Sequence, residues 1–112
     1  MEDSILVSIK KLLGLGVEYT PFDPDIIMHI NSALMAMNQL GIGPAEPFFI
    51  TGAGETWSEF VDRNVEAVKT AIFIRVKIVF DPPSSSFALE ALKEQLKEYE
   101  WRLNVQVDPK EA

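Results

Sequence analysis

Few residues in this chain are arranged as a reacting site would arrange them. His29 is the single histidine, and no cysteine, second histidine or nucleophile stands at a recognisable spacing from it. A general base needs a partner and a pocket, so a mid-helix structural histidine is the plainer reading. Thr51-Gly52-Ala53-Gly54-Glu55-Thr56 is glycine-rich and precedes a helix. A phosphate cradle of the P-loop type would place a Lys-Ser/Thr pair after the second glycine. Glu55 stands there instead, and its carboxylate repels phosphate, which makes the stretch a turn. Asp23 and Asp25 mimic a carboxylate pair, but they open a helix, where acids favour the dipole by ~0.3–1 kcal/mol each. Glu90, Glu94 and Glu98 form an i, i+4 column beside Lys93 and Lys97. That pattern is a solvated helix face, on which a Mg²⁺ site would be weak. No catalytic, cofactor-binding or metal-ligating residue is assigned, and no cofactor is expected.

The residues left to account for are apolar. Phe48, Phe49 and Ile50 form a short β-like run inside a Gly/Pro-punctuated stretch, residues 42–56, with Trp57 just beyond it. A connection that long in a small domain is often a binding element; the alternative is that the side chains plug the domain's own core. Near the other end, Trp101 precedes Leu103, Val105 and Val107, which alternate with Asn104 and Gln106. An extended segment with one apolar face needs a cover. It pairs inside its own fold, or it adds a strand to a neighbour's sheet edge. Phe48, Phe49, Ile50, Trp57, Trp101, Leu103, Val105 and Val107 are therefore the candidate protein-interface residues.

The elements that must position these residues are helical. Ile5, Leu6, Ile9, Leu12 and Leu13 mark one face of a first helix over about Ser4 to Leu13, ended by Gly14 and Gly16. The second helix has both ends marked: Asp23 as cap, Pro24 in the first turn, Gly41 as the left-handed stop. Ile26, Ile30, Leu34 and Met37 make its buried stripe. Thr56 to Glu59 has the spacing of a capping box, and Asp62 and Asn64 offer a further start before Val65. Residues 65–80 fit both a helical stripe and a strand-like alternation. Their length, with no hairpin turn to divide them, favours a helix buried nearly all round. Asp81-Pro82-Pro83 breaks it, and Ser84 to Ser86 recap the last helix. Leu89, Leu92, Leu96, Tyr99 and Leu103 give that helix a heptad-like seam. Residues 104–112 are expected to be an extended tail. The whole is a mainly α single domain over 1–112, a small bundle of about four to five helices with a long central loop.

Bulk composition narrows the function classes. The 47% hydrophobic and 24% charged content argues for a folded core and against disorder. The absence of cysteine excludes a disulfide framework and a thiolate metal site, and fits synthesis in the cytosol. Residues 1–22 lack the pattern of a signal peptide, and the apolar run from Ala71 to Phe80 is too short and too charged to span a membrane. Net charge is −7, with −6 of it in residues 1–60, where eight acids face Lys10 and Lys11. DNA-gripping domains carry a basic stripe, because phosphate neutralisation supplies most of their affinity. This chain shows the reverse.

Several strings together resemble the head–tail connector (adaptor, head-completion) proteins of long-tailed bacteriophages. They are Ile5-Leu6-Val7 with Lys10-Lys11-Leu12-Leu13-Gly14, the segment from Asp23 to Asn31, Gln39-Leu40-Gly41-Ile42-Gly43, and Tyr99-x-Trp101-Arg102-Leu103-Asn104. The resemblance implies a mostly helical, non-catalytic structural protein of a phage or prophage, made in the bacterial cytoplasm and placed in the virion. It implies a cyclic homo-oligomer, often twelve-fold, between the portal protein and a tail or head-completion protein. DNA would pass through the ring without specific binding. The family's central loop falls at residues 42–56. A reading from another class is a non-catalytic helical regulatory module that binds a partner protein in the cytosol; a carboxylate enzyme would require two acids converging in one pocket.

Overall fold

The computed structural model describes residues 3–107. Five helices follow one another: α1 (Ile5–Leu12), α2 (Asp23–Gln39), α3 (Trp57–Phe60), α4 (Val65–Phe80) and α5 (Ser86–Val107). The molecule is a slab of 45 × 36 × 19 Å. Its thin dimension is that of two helix layers, each about 10 Å across.

Residues 65–80 are helical throughout. Val68, Ala71, Ile72, Ile74 and Val76 are fully buried along α4, and most of the helix's other side chains are half-buried. α2 and α5 pack along α4, while α1 sits against α2 and the single turn of α3 covers the start of α4. Ile26, Ile30, Ala33, Leu34 and Met37 face inward from α2 as their spacing predicts. Gly41 takes φ 87° and ends α2, also as expected.

Two local expectations are revised. Asp23 is the first residue of α2, not its cap; Phe22 occupies the cap position and makes no side-chain cap bond. The Asp23 carboxylate turns to α1 instead, where it meets Lys10 Nζ at 2.9 Å. Lys10 is 1% exposed. Its ammonium also donates to the Val17 carbonyl at 3.0 Å, so one buried cation closes the α1–α2 connection at both ends. The second revision is at the C-terminal end. Residues 104–107 continue α5 as helix rather than running extended. Leu103 is buried four residues beyond Tyr99, which prolongs the helical seam, and Asn104 Nδ2 donates to the Leu40 carbonyl at 3.1 Å. Alternate apolar residues in a short stretch suit either period, and docking against the end of α2 decides for the helix. Residues 108–112 of the expected tail lie outside the described residues.

The capping box at Thr56 forms its reach-back bond, with Glu59 accepting the Thr56 N–H at 2.9 Å. Gly43 has φ 91°, and a Cβ there would lie 2.5 Å from the Phe60 ring. Both facts require glycine at this turn.

The Lys10 pair gives a direct test. Asp23→Ala leaves the buried ammonium with only a carbonyl, and urea unfolding should show a loss of about 3 kcal/mol. Lys10→Met keeps the stem's packing and frees a partly exposed carboxylate to hydrate, so its loss should be smaller, about 1 kcal/mol. Equal losses would show that the stem's packing, not the charge pair, holds the joint.

Candidate protein-interaction surface

The long connection between α2 and α3 is strapped down at three points. Asn31, on α2, treats Ile50 as a strand neighbour would: its Nδ2 donates to the Ile50 carbonyl at 3.0 Å, and its Oδ1 accepts the Ile50 N–H at 2.8 Å. Asn38 Nδ2 donates to the Pro44 carbonyl at 3.2 Å. At the far end, Ile5 N–H donates to the Glu55 carbonyl at 3.1 Å and Trp57 N–H to the Asp3 carbonyl at 2.9 Å, a single antiparallel bridge between Ser4 and Thr56. The Trp57 indole N–H then donates to Ser8 Oγ on α1 at 3.1 Å.

These straps decide which candidate residues face outward. Ile50 and Trp57 are each 1% exposed, and Leu103 is 3% exposed; all three belong to the subunit's own core. Phe48 is half-buried, with its ring 5.4 Å from that of Phe60. Phe49, Trp101 and Val105 are exposed. The Val107 side chain lies outside what the structure describes. Of the eight candidates, three are therefore enclosed within the monomer and three stand at its surface.

The outward residues fall into separate patches. Phe49 joins Met28, Met35 and the half-buried Ile27 around a shallow hollow on the outer side of α2, with Pro24 and Asn31 at its margin. Met28 and Met35 are seven residues apart and off the Ile26–Met37 stripe, a spacing that predicts one outward face. On α5, Phe87, Trp101 and Val105 are exposed opposite the buried seam. Phe87 and the two methionines complete these patches and were not among the candidates; their positions off the buried stripes are the signal that would have found them. A third apolar strip runs through aromatic rings: Tyr19 to Phe22 at 5.9 Å, Phe22 to Phe80 at 5.5 Å, and His29 to Phe80 at 6.3 Å. His29 is half-buried against Phe80, a packing role for the lone imidazole.

A groove of about 790 Å³ lies between the end of α2, the α3–α4 connection and Leu103. Its polar lining comes from Ser58 to Asn64, and no histidine is part of it. Among the described residues, no three His, Cys, Asp or Glu side chains are grouped to hold a metal ion. No helix among them is long and apolar enough to cross a membrane. Asp25 is exposed, while Asp23 is held by Lys10, so the two carboxylates at the start of α2 do not converge.

Glu55 organises the glycine-rich turn. Partial burial opposes its charge, but hydrogen bonds from the Thr51 N–H and hydroxyl outweigh that effect and hold its carboxyl below the ordinary range. A carboxyl lowered on folding contributes stability above its unfolded pKa, about 4.3, and loses it as pH falls through the folded value. Protection of the Thr51 amide against hydrogen exchange, measured relative to its intrinsic rate, should therefore fall below about pH 4, and Glu55→Gln should remove that pH dependence. Asn31→Ala should cost about 1–3 kcal/mol and expose the Ile50 amide to exchange, since it removes the partners of both main-chain polar groups of Ile50. An unchanged Ile50 exchange rate would mean that packing, not Asn31, fixes the loop.

The chain matches the phage connector protein family over residues 5–110. Comparison with curated proteins and with solved structures finds no match. With nearly its whole length inside the family's span, the chain belongs to the phage connector proteins, which gives it a structural connector role in the phage particle.

Proposed function

We propose that this phage connector protein forms a cyclic homo-oligomer between the portal vertex of the head and the tail, extending the channel through which DNA passes. The family match over residues 5–110 carries this reading. Two physical features support it. Contacts in a ring larger than a dimer are heterologous, so each subunit needs two different complementary faces. The hollow at Met28, Met35 and Phe49 and the aromatic strip at Tyr19, Phe22 and Phe80 are separate apolar surfaces available for such contacts. The −7 net charge, with −6 in residues 1–60, suits a conduit that must let phosphates slide without holding them. The partners are then the portal protein on one side and a tail or head-completion protein on the other. Specific DNA binding forms no part of the role.

Negative-stain electron microscopy of the purified protein mixed with the portal encoded beside it tests the reading. Rings stacked coaxially on portal particles are expected; monomers without portal association well above micromolar concentration would refute it. Met35→Glu should abolish rings while leaving the helical circular dichroism and the thermal midpoint nearly unchanged, because Met35 is a surface residue. Intact rings in that variant would remove the α2 hollow from the subunit contact.

A further inference from the structure

Helix α5 presents two faces that its own subunit uses unequally. Leu89, Leu92, Leu96, Tyr99 and Leu103 turn toward the body. On the opposite side, Phe87, Ala91, Glu94, Glu98, Trp101 and Val105 follow one another by steps of four and three. At 100° per residue they fall within about 40° of a single line along the helix. The row is a second heptad seam, and nothing among the described residues covers it. Phe87 is 84% exposed and Trp101 67% exposed, the two most exposed large apolar side chains described. They stand about 21 Å apart along the axis, with the two glutamates between them.

The charges identify what fits this row. Within about 60° of the line lie Glu90, Glu94 and Glu98 against one base, Arg102. Arg102 reaches Glu98 at 2.7 Å and Lys97 reaches Glu94 at 3.7 Å, so each central carboxylate has one base of its own helix beside it. All four of these side chains remain more than half exposed. Such exposed pairs contribute little and leave the carboxylates open to a closer cation.

A second copy of the chain is a poor occupant. In an antiparallel α5 pair Glu94 would face Glu98 of the copy, and in a parallel pair each glutamate would face itself. Like charges placed in the centre of a seam oppose pairing. Among the described residues, the other surfaces of a copy offer no row of cations: Arg63 is a single exposed base in the α3–α4 connection, and Lys69 lies between Glu66 and the Trp57 ring. In residues 1–60 the only bases are Lys10, which is buried on Asp23, and Lys11. On α4, Arg75 is held by Glu100 at 2.6 Å and Lys77 by Asp81 at 3.2 Å.

We infer that the outward face of α5 is the docking site for a basic amphipathic helix of a different protein, with apolar residues at both ends of its contact row and Lys or Arg in the middle. Phe87 and the Trp101/Val105 pair are the two apolar anchors, and Glu94 and Glu98 set the charge and the register between them. The inference rests on the connector reading only in taking the partner to be another protein of the phage particle.

The test uses a synthetic 21-residue helical peptide with Leu at the terminal seam positions and Lys at the two central ones, and a twin with Glu in place of Lys. Fluorescence anisotropy against the full chain should give binding of the basic peptide at least about tenfold tighter than its twin. The double variant Glu94→Lys/Glu98→Lys should invert that preference, and Trp101→Ser should weaken the favoured peptide by about tenfold or more. Equal affinity for both peptides, or binding indifferent to Trp101→Ser, would overturn the inference. Sedimentation of the same variants provides the second arm. If either change disassembles an oligomer formed by the natural chain, the face belongs to a second copy and the inference fails. Absence of rings on portals with the natural chain would instead refute the connector reading, and the peptide result would still stand or fall alone.

Discussion

Helix α4 has almost no face that can be left in water. Of Val65–Phe80 only Glu66 and Val79 are exposed. An apolar cylinder of that kind must be covered from several sides at once, and the order of the other helices follows from it. α2 lies along one side and α5 along another, while α3 caps its first turns. The polar residues that α4 does carry are drawn into the covering. Arg75 pairs with Glu100 and ties α4 to α5, and Lys77 pairs with Asp81 at its own C-terminal end. α1 is further from this helix and is held by a different device, the buried Lys10 ammonium between Asp23 and the Val17 carbonyl.

A bundle this small leaves a long connection to be accounted for. Residues 42–56 are ordered without regular secondary structure because side chains substitute for a missing strand. The Asn31 amide satisfies both polar groups of Ile50, which permits Ile50 to be buried without an orphaned peptide. Trp57 completes the closure by placing its indole N–H on Ser8. Order in this loop thus rests on polar contacts from Asn31 and Asn38 of α2 and from Ile5 and Ser8 of α1.

α1, α2 and α5 were legible because each has a strong period and a marked end. Pro24 and Gly41 bracket α2, and Asp81-Pro82-Pro83 separates α4 from α5. The ambiguous run at 65–80 was settled by length, since Ile72, Ile74, Val76, Ile78 and Phe80 alternate as a strand would. Alternation of Leu103, Val105 and Val107 pointed to the wrong period for 104–107, where docking of Asn104 on Leu40 extends α5. The candidate interaction residues were legible only in part. Aromatic character alone does not distinguish Trp57, enclosed through a partner 49 residues away, from Trp101, which projects into solvent. The helical phase does distinguish them on α5: Trp101 is out of step with the Leu89–Leu103 seam. No local pattern marks Asn31 as the residue that pins the loop, because its partner is distant in the chain and is a backbone group.

The burial of Lys10 also bears on the chemical reactivity of the surface. An amine that is enclosed and held by a carboxylate and a carbonyl is out of reach of reagents. Lys93 and Lys97 of α5, by contrast, are largely open to solvent. Amine-directed labels and cross-linkers will therefore report on the flank of α5 and on the exposed Lys11 at the end of α1, while Lys10 itself stays silent however tightly neighbouring molecules approach the joint.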